Sequence, residues 1–264
     1  MTSEYEKEQI KKETLEKISK EKETKYDLIG DFVDNLAIIG IGSYDFWGDC
    51  STGFFGRWGC IDTTGKEIIP VGKYKLIGSE QWTKHPYMAK FSDDFLAVCD
   101  WKTGKWGFVD RNGIEIIPCI YYAVDKFSKG LVNVMHNKKW GYIDKTGEEI
   151  IPFKYDYTEP FSDNLARVMI KINENKKFGF IDINGIEVIP IKYDIVRDFS
   201  EGLTSVCYNG KWGFLDEIGN EAIPINYDFV RPFSAGRAEV QIIDPETKRM
   251  LSFYYIDKNG NKIQ

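Results

Sequence analysis

Two histidines, five cysteines and one adjacent carboxylate pair are where chemistry would have to start in this chain. His85 and His136 lie far apart, and neither has the spacing of a metal ligand or the partners of a triad base. Cys50, Cys60, Cys99, Cys119 and Cys207 are odd in number and irregularly spaced. They fit neither a disulfide framework nor a CxxC site and point to a reducing compartment. Asp93-Asp94 follows Phe91-Ser92 where other stretches carry turn residues, so the pair reads as turn chemistry rather than as an acid and a base. The glycines do not gather into a phosphate-cradling loop that opens a helix. Recurring Asp-x-x-Gly strings each offer one carboxylate, whereas calcium takes six to eight oxygens. The residues therefore predict no catalytic set, no metal and no cofactor.

The elements that would have to position any site are written in a repeat. The string Trp58-Gly59-Cys60-Ile61-Asp62 recurs as Trp106 to Asp110, Trp140 to Asp144, Phe178 to Asp182 and Trp212 to Asp216, and decays at Phe253 to Asp257. Successive copies start about 34 to 48 residues apart, a period typical of solenoids and propellers. Each full copy reaches a proline (Pro70, Pro118, Pro152, Pro190, Pro224) and then a Phe-Ser step such as Phe127-Ser128 or Phe199-Ser200. The Asp-x-x-Gly string is a hairpin signal, because Asp caps a type I turn and Gly takes the left-handed bulge that follows. Proline should end the next strand by removing a donor. Upstream, Asn209-Gly210 marks a two-residue type I′ hairpin, so one unit is a three-stranded meander.

Alternation puts Trp140 and Tyr142 on one face and Gly141 and Ile143 on the other, so both faces are apolar. One unit cannot bury its own aromatics, and units must stack with glycine allowing close approach. Trp58, Trp106, Trp140, Phe178 and Trp212 are the expected structural core. The expected fold is all-β: about six meander units stacked into a propeller-like ring, with an open β-solenoid as the alternative. Tyr26 to Ile39 reproduces the second half of a unit and Phe253 to Ile263 the first half, so pairing of the two ends would close the ring and remove edge strands. Residues 1–25 carry Glu/Lys pairs four apart and read as a charged helix or tail, leaving 26–264 as the β domain.

These motifs resemble the WG (KWG) repeat family of bacterial proteins, whose pattern runs Lys-Trp-Gly-Phe-Ile-Asp, Gly, aliphatics, Pro, Tyr-Asp and Phe-Ser-Glu-Gly-Leu-Ala. The resemblance spans about residues 26 to 264 and implies a non-catalytic repeat module of propeller-like or solenoid-like shape. It carries no catalytic residue set. Cys60, Phe178 and the last copy depart from the pattern.

Function is then expected where the rhythm breaks. Gly40 to Arg57 reads as an enlarged connection holding Phe46, Trp47, Phe54 and Phe55, and Lys75 to Lys90 as an insertion holding Trp82, His85 and Tyr87. Loops that leave a repeat mark its binding face, and exposed aromatics supply contact area, although the same loops could cap an array end. Another protein is the expected partner, with a glycan or cell-wall polymer as the alternative and a loop-borne enzyme site as the third. Lys+Arg 35 against Asp+Glu 41 gives a net charge of -6, which argues against nucleic acid. No apolar run reaches a membrane span, and the charged N-terminus lacks a signal-peptide core, so the cytoplasm is the expected location.

Overall fold

The computed structural model describes residues 25–30, 32, 35–47, 51–77, 91–244, 246, 247 and 249–263, with single positions at 9, 12, 13 and 16. For 43–47, 51–56 and 76–77 the description concerns the backbone. The N-terminal helix or tail expected over 1–25 falls almost wholly outside these residues.

Among the described residues, six antiparallel four-stranded sheets follow one another along the chain. The first contains β1 (Leu28–Ile29), β2 (Leu36–Trp47), β3 (Ser51–Asp62) and β4 (Glu67–Tyr74), and the second β5 (Leu76–Ile77), β6 (Leu96–Cys99), β7 (Trp106–Val109) and β8 (Glu115–Tyr121). The third is built from β9 (Ala123–Val124), β10 (Leu131–His136), β11 (Lys139–Asp144) and β12 (Glu149–Tyr155). The fourth comprises β13 (Tyr157–Thr158), β14 (Leu165–Ile172), β15 (Asn175–Asp182) and β16 (Glu187–Tyr193). The fifth is β17 (Ile195–Val196), β18 (Leu203–Tyr208), β19 (Lys211–Asp216) and β20 (Glu221–Tyr227). The sixth is β21 (Phe229–Val230), β22 (Ala238–Ile243), β23 (Met250–Ile256) and β24 (Lys262–Ile263). Each expected meander thus carries a fourth, two-residue strand at its edge. The two chain ends do not complete one sheet between them: β1 and β2 pair with β3 and β4, while β23 and β24 pair within the last sheet. Local hairpin closure needs shorter loops than strand exchange between distant segments, and it decides the phase of the unit.

Three kinds of turn recur among the described residues. Gly113, Gly147 and Gly219 hold φ of 73°, 87° and 86° at the ends of their Asp-x-x-Gly turns, as the bulge requires. The Asp caps the turn: Asp144 Oδ1 accepts the backbone N–H of Thr146 at 2.8 Å and of Glu148 at 2.9 Å. Asn209 and Gly210 hold φ of 49° and 78°, the paired positive values of a type I′ hairpin. The Phe-Ser step opens a second tight turn: Ser128 and Leu131 exchange backbone hydrogen bonds of 2.8 and 3.1 Å around Lys129 and Gly130, both at positive φ. Asp93 and Asp94 occupy that turn in the second sheet, with φ of 50° and 72°, in keeping with their reading as turn residues.

Proline does not end its strand. β8 runs on through Pro118, with a register shift between the pairs Trp106↔Tyr121 and Phe108↔Ile117. The bulged backbone lies over Gly107, where a Cβ would sit 2.4 Å from the Ile117 carbonyl oxygen and 2.7 Å from the Cys119 nitrogen. The glycine of each Trp-Gly pair therefore admits the bulge of its own sheet rather than a neighbouring unit. Proline suits the bulge, where the ladder needs no donor.

Apolar layers cement neighbouring sheets within each of two compact units, residues 1–153 and 154–264. In the first, Trp106, Phe108, Ile117 and Tyr121 of the second sheet bury against Val124, Val132, Val134 and Ile143 of the third. In the second, Trp212, Phe214 and Ile223 of the fifth sheet bury against Val230, Ala238, Val240 and Ile256 of the sixth. The Trp face of one sheet thus meets the Gly/Ile face of the next, which explains why both faces read as apolar.

Candidate functional site

The seven aromatic and histidine positions expected to form a binding surface divide into two groups. Phe46 and Trp47 lie in β2, and Phe54 and Phe55 lie in β3, paired through Phe46↔Thr52, Trp47↔Ser51, Tyr44↔Phe54 and Ser43↔Phe55. Of the expected enlarged connection, Gly40 to Trp47 and Ser51 to Arg57 are consequently the outer arms of a long hairpin, a correction with a simple cause. The segment lacks proline and is rich in β-formers, so backbone pairing continues past the core. Of the expected insertion, Leu76 and Ile77 form β5, whereas Trp82, His85 and Tyr87 lie outside the described residues.

Trp58, Trp106, Trp140 and Trp212 are buried, while Phe178, a departure from the motif, is half-buried. The His136 ring packs against Tyr121 and Phe153, with centroids 5.9 and 5.5 Å away. Among the described residues no group of three or more His, Cys, Asp or Glu side chains is placed to hold a metal ion. Burial pushes the Cys60 and Cys119 thiols up to about 12, away from nucleophilic thiolates.

What the repeat pattern passed over is one variable position inside each sheet. In the third to sixth sheets it holds Asn133, Arg167, Ser205 and Glu239, and its carbonyl accepts the backbone N–H of Asp125, Glu159, Arg197 and Arg231 respectively. Two sheets place a charge pair there with opposite polarity. In the fourth, the Arg167 guanidinium bonds Glu159; in the sixth, Arg231 Nε lies 3.4 Å from Glu239 Oε2. In the fifth, Arg197 faces Ser205 and stacks instead over Trp212, 4.3 Å from the ring centroid, donating to the Val230 carbonyl at 2.7 Å. Desolvation lowers the pKa of that guanidinium, with the nearby Arg231 charge adding to the effect. The legible signal was a polar residue interrupting an apolar run, as Arg167 does in Leu165-Ala166-Arg167-Val168-Met169.

At the fourth sheet this variable pair opens onto a cleft of about 350 Å³. Arg167 forms one wall, its Nη1 3.2 Å from Asp198 Oδ1 and 3.1 Å from the Val196 carbonyl oxygen. Phe180 from β15 and Phe199, after β17, pack at 5.1 Å between centroids and give the cleft an aromatic side. Asp163, in the Phe-Ser turn, and Glu217, after β19, add two further carboxylates. The arrangement offers charge recognition beside an apolar wall.

Comparison with known proteins now bears on identity. Among solved structures the fold is similar to Hsv2 of Kluyveromyces lactis, at 10% identity and a TM-score of 0.37 over 81% of this chain and 73% of that one. It is also similar to an acylaminoacyl peptidase of Pyrococcus horikoshii, at 9% identity and a TM-score of 0.37, over 90% of this chain and 45% of that one. At these TM-scores the likenesses carry nothing about function. No curated protein matches the sequence. The family model for the WG containing repeat matches residues 58–79, 106–140, 140–171, 178–212 and 212–242, more than half of the chain. Each match begins at a Trp-Gly or Phe-Gly pair whose glycine lies under the bulge of its own sheet, and on this ground the chain belongs to the WG repeat family.

Proposed function

We propose that the chain is a non-catalytic binding module, with another protein as its partner, acting in the cytoplasm. The observation that carries this reading is the use made of the motif. The tryptophans of the Trp-Gly motif are buried and its Asp and Gly residues hold turns, so they are engaged in architecture. What distinguishes one unit from another is the long β2–β3 hairpin and the charged variable positions, features suited to recognition on a rigid support. A scaffold of this kind presents preformed surface at small entropic cost.

The test is retention of partners on the immobilised full chain, with a glycan array run in parallel. A protein retained by the native chain and lost after Trp47→Ala combined with Trp82→Ala supports the reading and assigns the surface. Saturable glycan binding with no retained protein would replace the reading by its glycan alternative.

A further inference from the structure

The repeat contains its own control for the cleft. After the Phe-Ser pairs of the second and fifth sheets, the first turn residue of one sheet faces the next sheet. Between the second and third sheets that residue is Asp93, which accepts the Gly130 N–H at 3.2 Å and lies 3.7 Å from Lys145 Nζ. Between the fifth and sixth it is Glu201, which accepts the Gly236 N–H at 3.1 Å and lies 3.3 Å from Lys258 Nζ. Both lysines hold the same repeat position, directly after the Asp of the Asp-x-x-Gly turn, in Asp144-Lys145 and Asp257-Lys258. Between the fourth and fifth sheets the acid is Asp163, and the residue directly after Asp216 is Glu217.

A carboxylate thus stands where two other junctions place an ammonium, and this is where the 350 Å³ cleft lies. Among the described residues neither Asp163 nor Glu217 makes a hydrogen bond or an ion pair. Arg167, the one cation among the described residues lining the cleft, is already held by Glu159, Asp198 and the Val196 carbonyl. Four carboxylates against one guanidinium leave the cleft anionic, and Phe180 and Phe199 give it an apolar wall. A bare metal ion suits this set poorly, because calcium takes six to eight oxygens. An organic cation suits it well, since its head meets carboxylates while its stem lies along aromatic surface. The volume is at the small end of the roughly 300 to 1,000 Å³ typical of ligand sites.

We infer that this cleft binds an alkylammonium or guanidinium group, supplied by a lysine or arginine side chain of the partner protein or by a free polyamine. The inference deepens the binding-module reading and rests on it for the protein source alone. The incoming cation takes the place that Lys145 and Lys258 fill at their own junctions.

Calorimetric titration of the full chain at physiological ionic strength tests it, with pentalysine, spermidine and fully acetylated pentalysine as probes. Pentalysine should bind saturably and its acetylated form should not. Affinity should fall at least tenfold in Asp163→Asn combined with Glu217→Gln, and remain unchanged in Glu221→Gln, a control for loss of one surface charge. Glu217→Lys rebuilds the internal ion pair, so it should abolish binding and raise the melting temperature. Pentalysine binding without spermidine binding assigns a protein side chain; equal binding of both assigns a polyamine. Failure of both probes to bind, or binding that survives both cleft variants, overturns the inference. A partner retained by the immobilised chain and unaffected by Glu217→Lys would overturn the cleft alone and leave the binding-module reading standing.

Discussion

Trp212 and Gly107 belong to the same motif and answer to different forces. Trp212 is 8% exposed and buries its indole in the layer between the fifth and sixth sheets, so truncation removes apolar contact and leaves a cavity. Trp212→Ala should cost about 3 to 5 kcal/mol in urea unfolding, as for other buried aromatics. Gly107→Ala should also destabilise, through a backbone clash with the bulge at Ile117 to Cys119 rather than through lost area. The two mechanisms separate in the structure of the variants: the alanine at 107 must displace β8, while the alanine at 212 need not displace β20. Chemistry at the thiols follows the same burial. Cys60, 1% exposed and with its pKa pushed up to about 12, should resist iodoacetamide at pH 8 in the folded chain and react after unfolding.

Hairpins and turns hold the elements, and their residues are not equally suited to the work. The β14–β15 turn places Asn173 and Glu174 at φ of 47° and 66°, where the equivalent turn of the fifth sheet uses Asn209 and Gly210. Glutamate in the left-handed region is strained, and Glu174 is exposed, so Glu174→Gly should stabilise the chain by about 1 kcal/mol in the same unfolding experiment. The Asp-x-x-Gly turns tie stability to pH. The Thr146 hydroxyl hydrogen bond holds Asp144 below its ordinary pKa, and the Asn261 side-chain hydrogen bond does the same for Asp257. Each binds its proton more weakly folded than unfolded, so the stabilisation is complete above the unfolded carboxylate value of about 3.9. It fades as pH falls through the lower folded values. Melting temperature should therefore show no loss from these groups above about pH 5 and decline below about pH 4, with a shallower decline in Asp144→Asn.

At the scale of the molecule, stability resides in separate layers, among them one shared by the second and third sheets and one shared by the fifth and sixth. Trp106 belongs to the layer between the second and third sheets and Trp212 to that between the fifth and sixth, with no residue common to both. The losses in Trp106→Ala and Trp212→Ala should accordingly add to within about 0.5 kcal/mol in the double variant, measured by urea unfolding. A coupling well beyond that would mean that the layers communicate through the sheets between them. Serine stitches accompany the apolar contacts: Ser92 Oγ donates to the Phe127 carbonyl at 2.6 Å, and Ser200 Oγ to the Phe233 carbonyl at 2.7 Å. Each binds the Phe-Ser turn of one sheet to that of the next.

The all-β class, the six units, their hairpins and the burial of the Trp residues are determined by local pattern, because alternation and turn chemistry act between near neighbours in the chain. The Asn-Gly and Asp-x-x-Gly strings were sufficient for the turns, and Trp140 with Tyr142 for the faces. The phase of the unit was not legible, since the same strand order can be cut at either hairpin and only actual pairing of β1 and β2 with β3 and β4 chooses. Nor was the work of the Trp-Gly glycine, whose constraint comes from a bulge about ten residues away in the sequence. The cleft lay furthest from view. Asp163 and Glu217 are ordinary turn residues in the chain and become a site because antiparallel folding and sheet stacking bring positions far apart in sequence to one opening, where a repeated cation is replaced by a carboxylate.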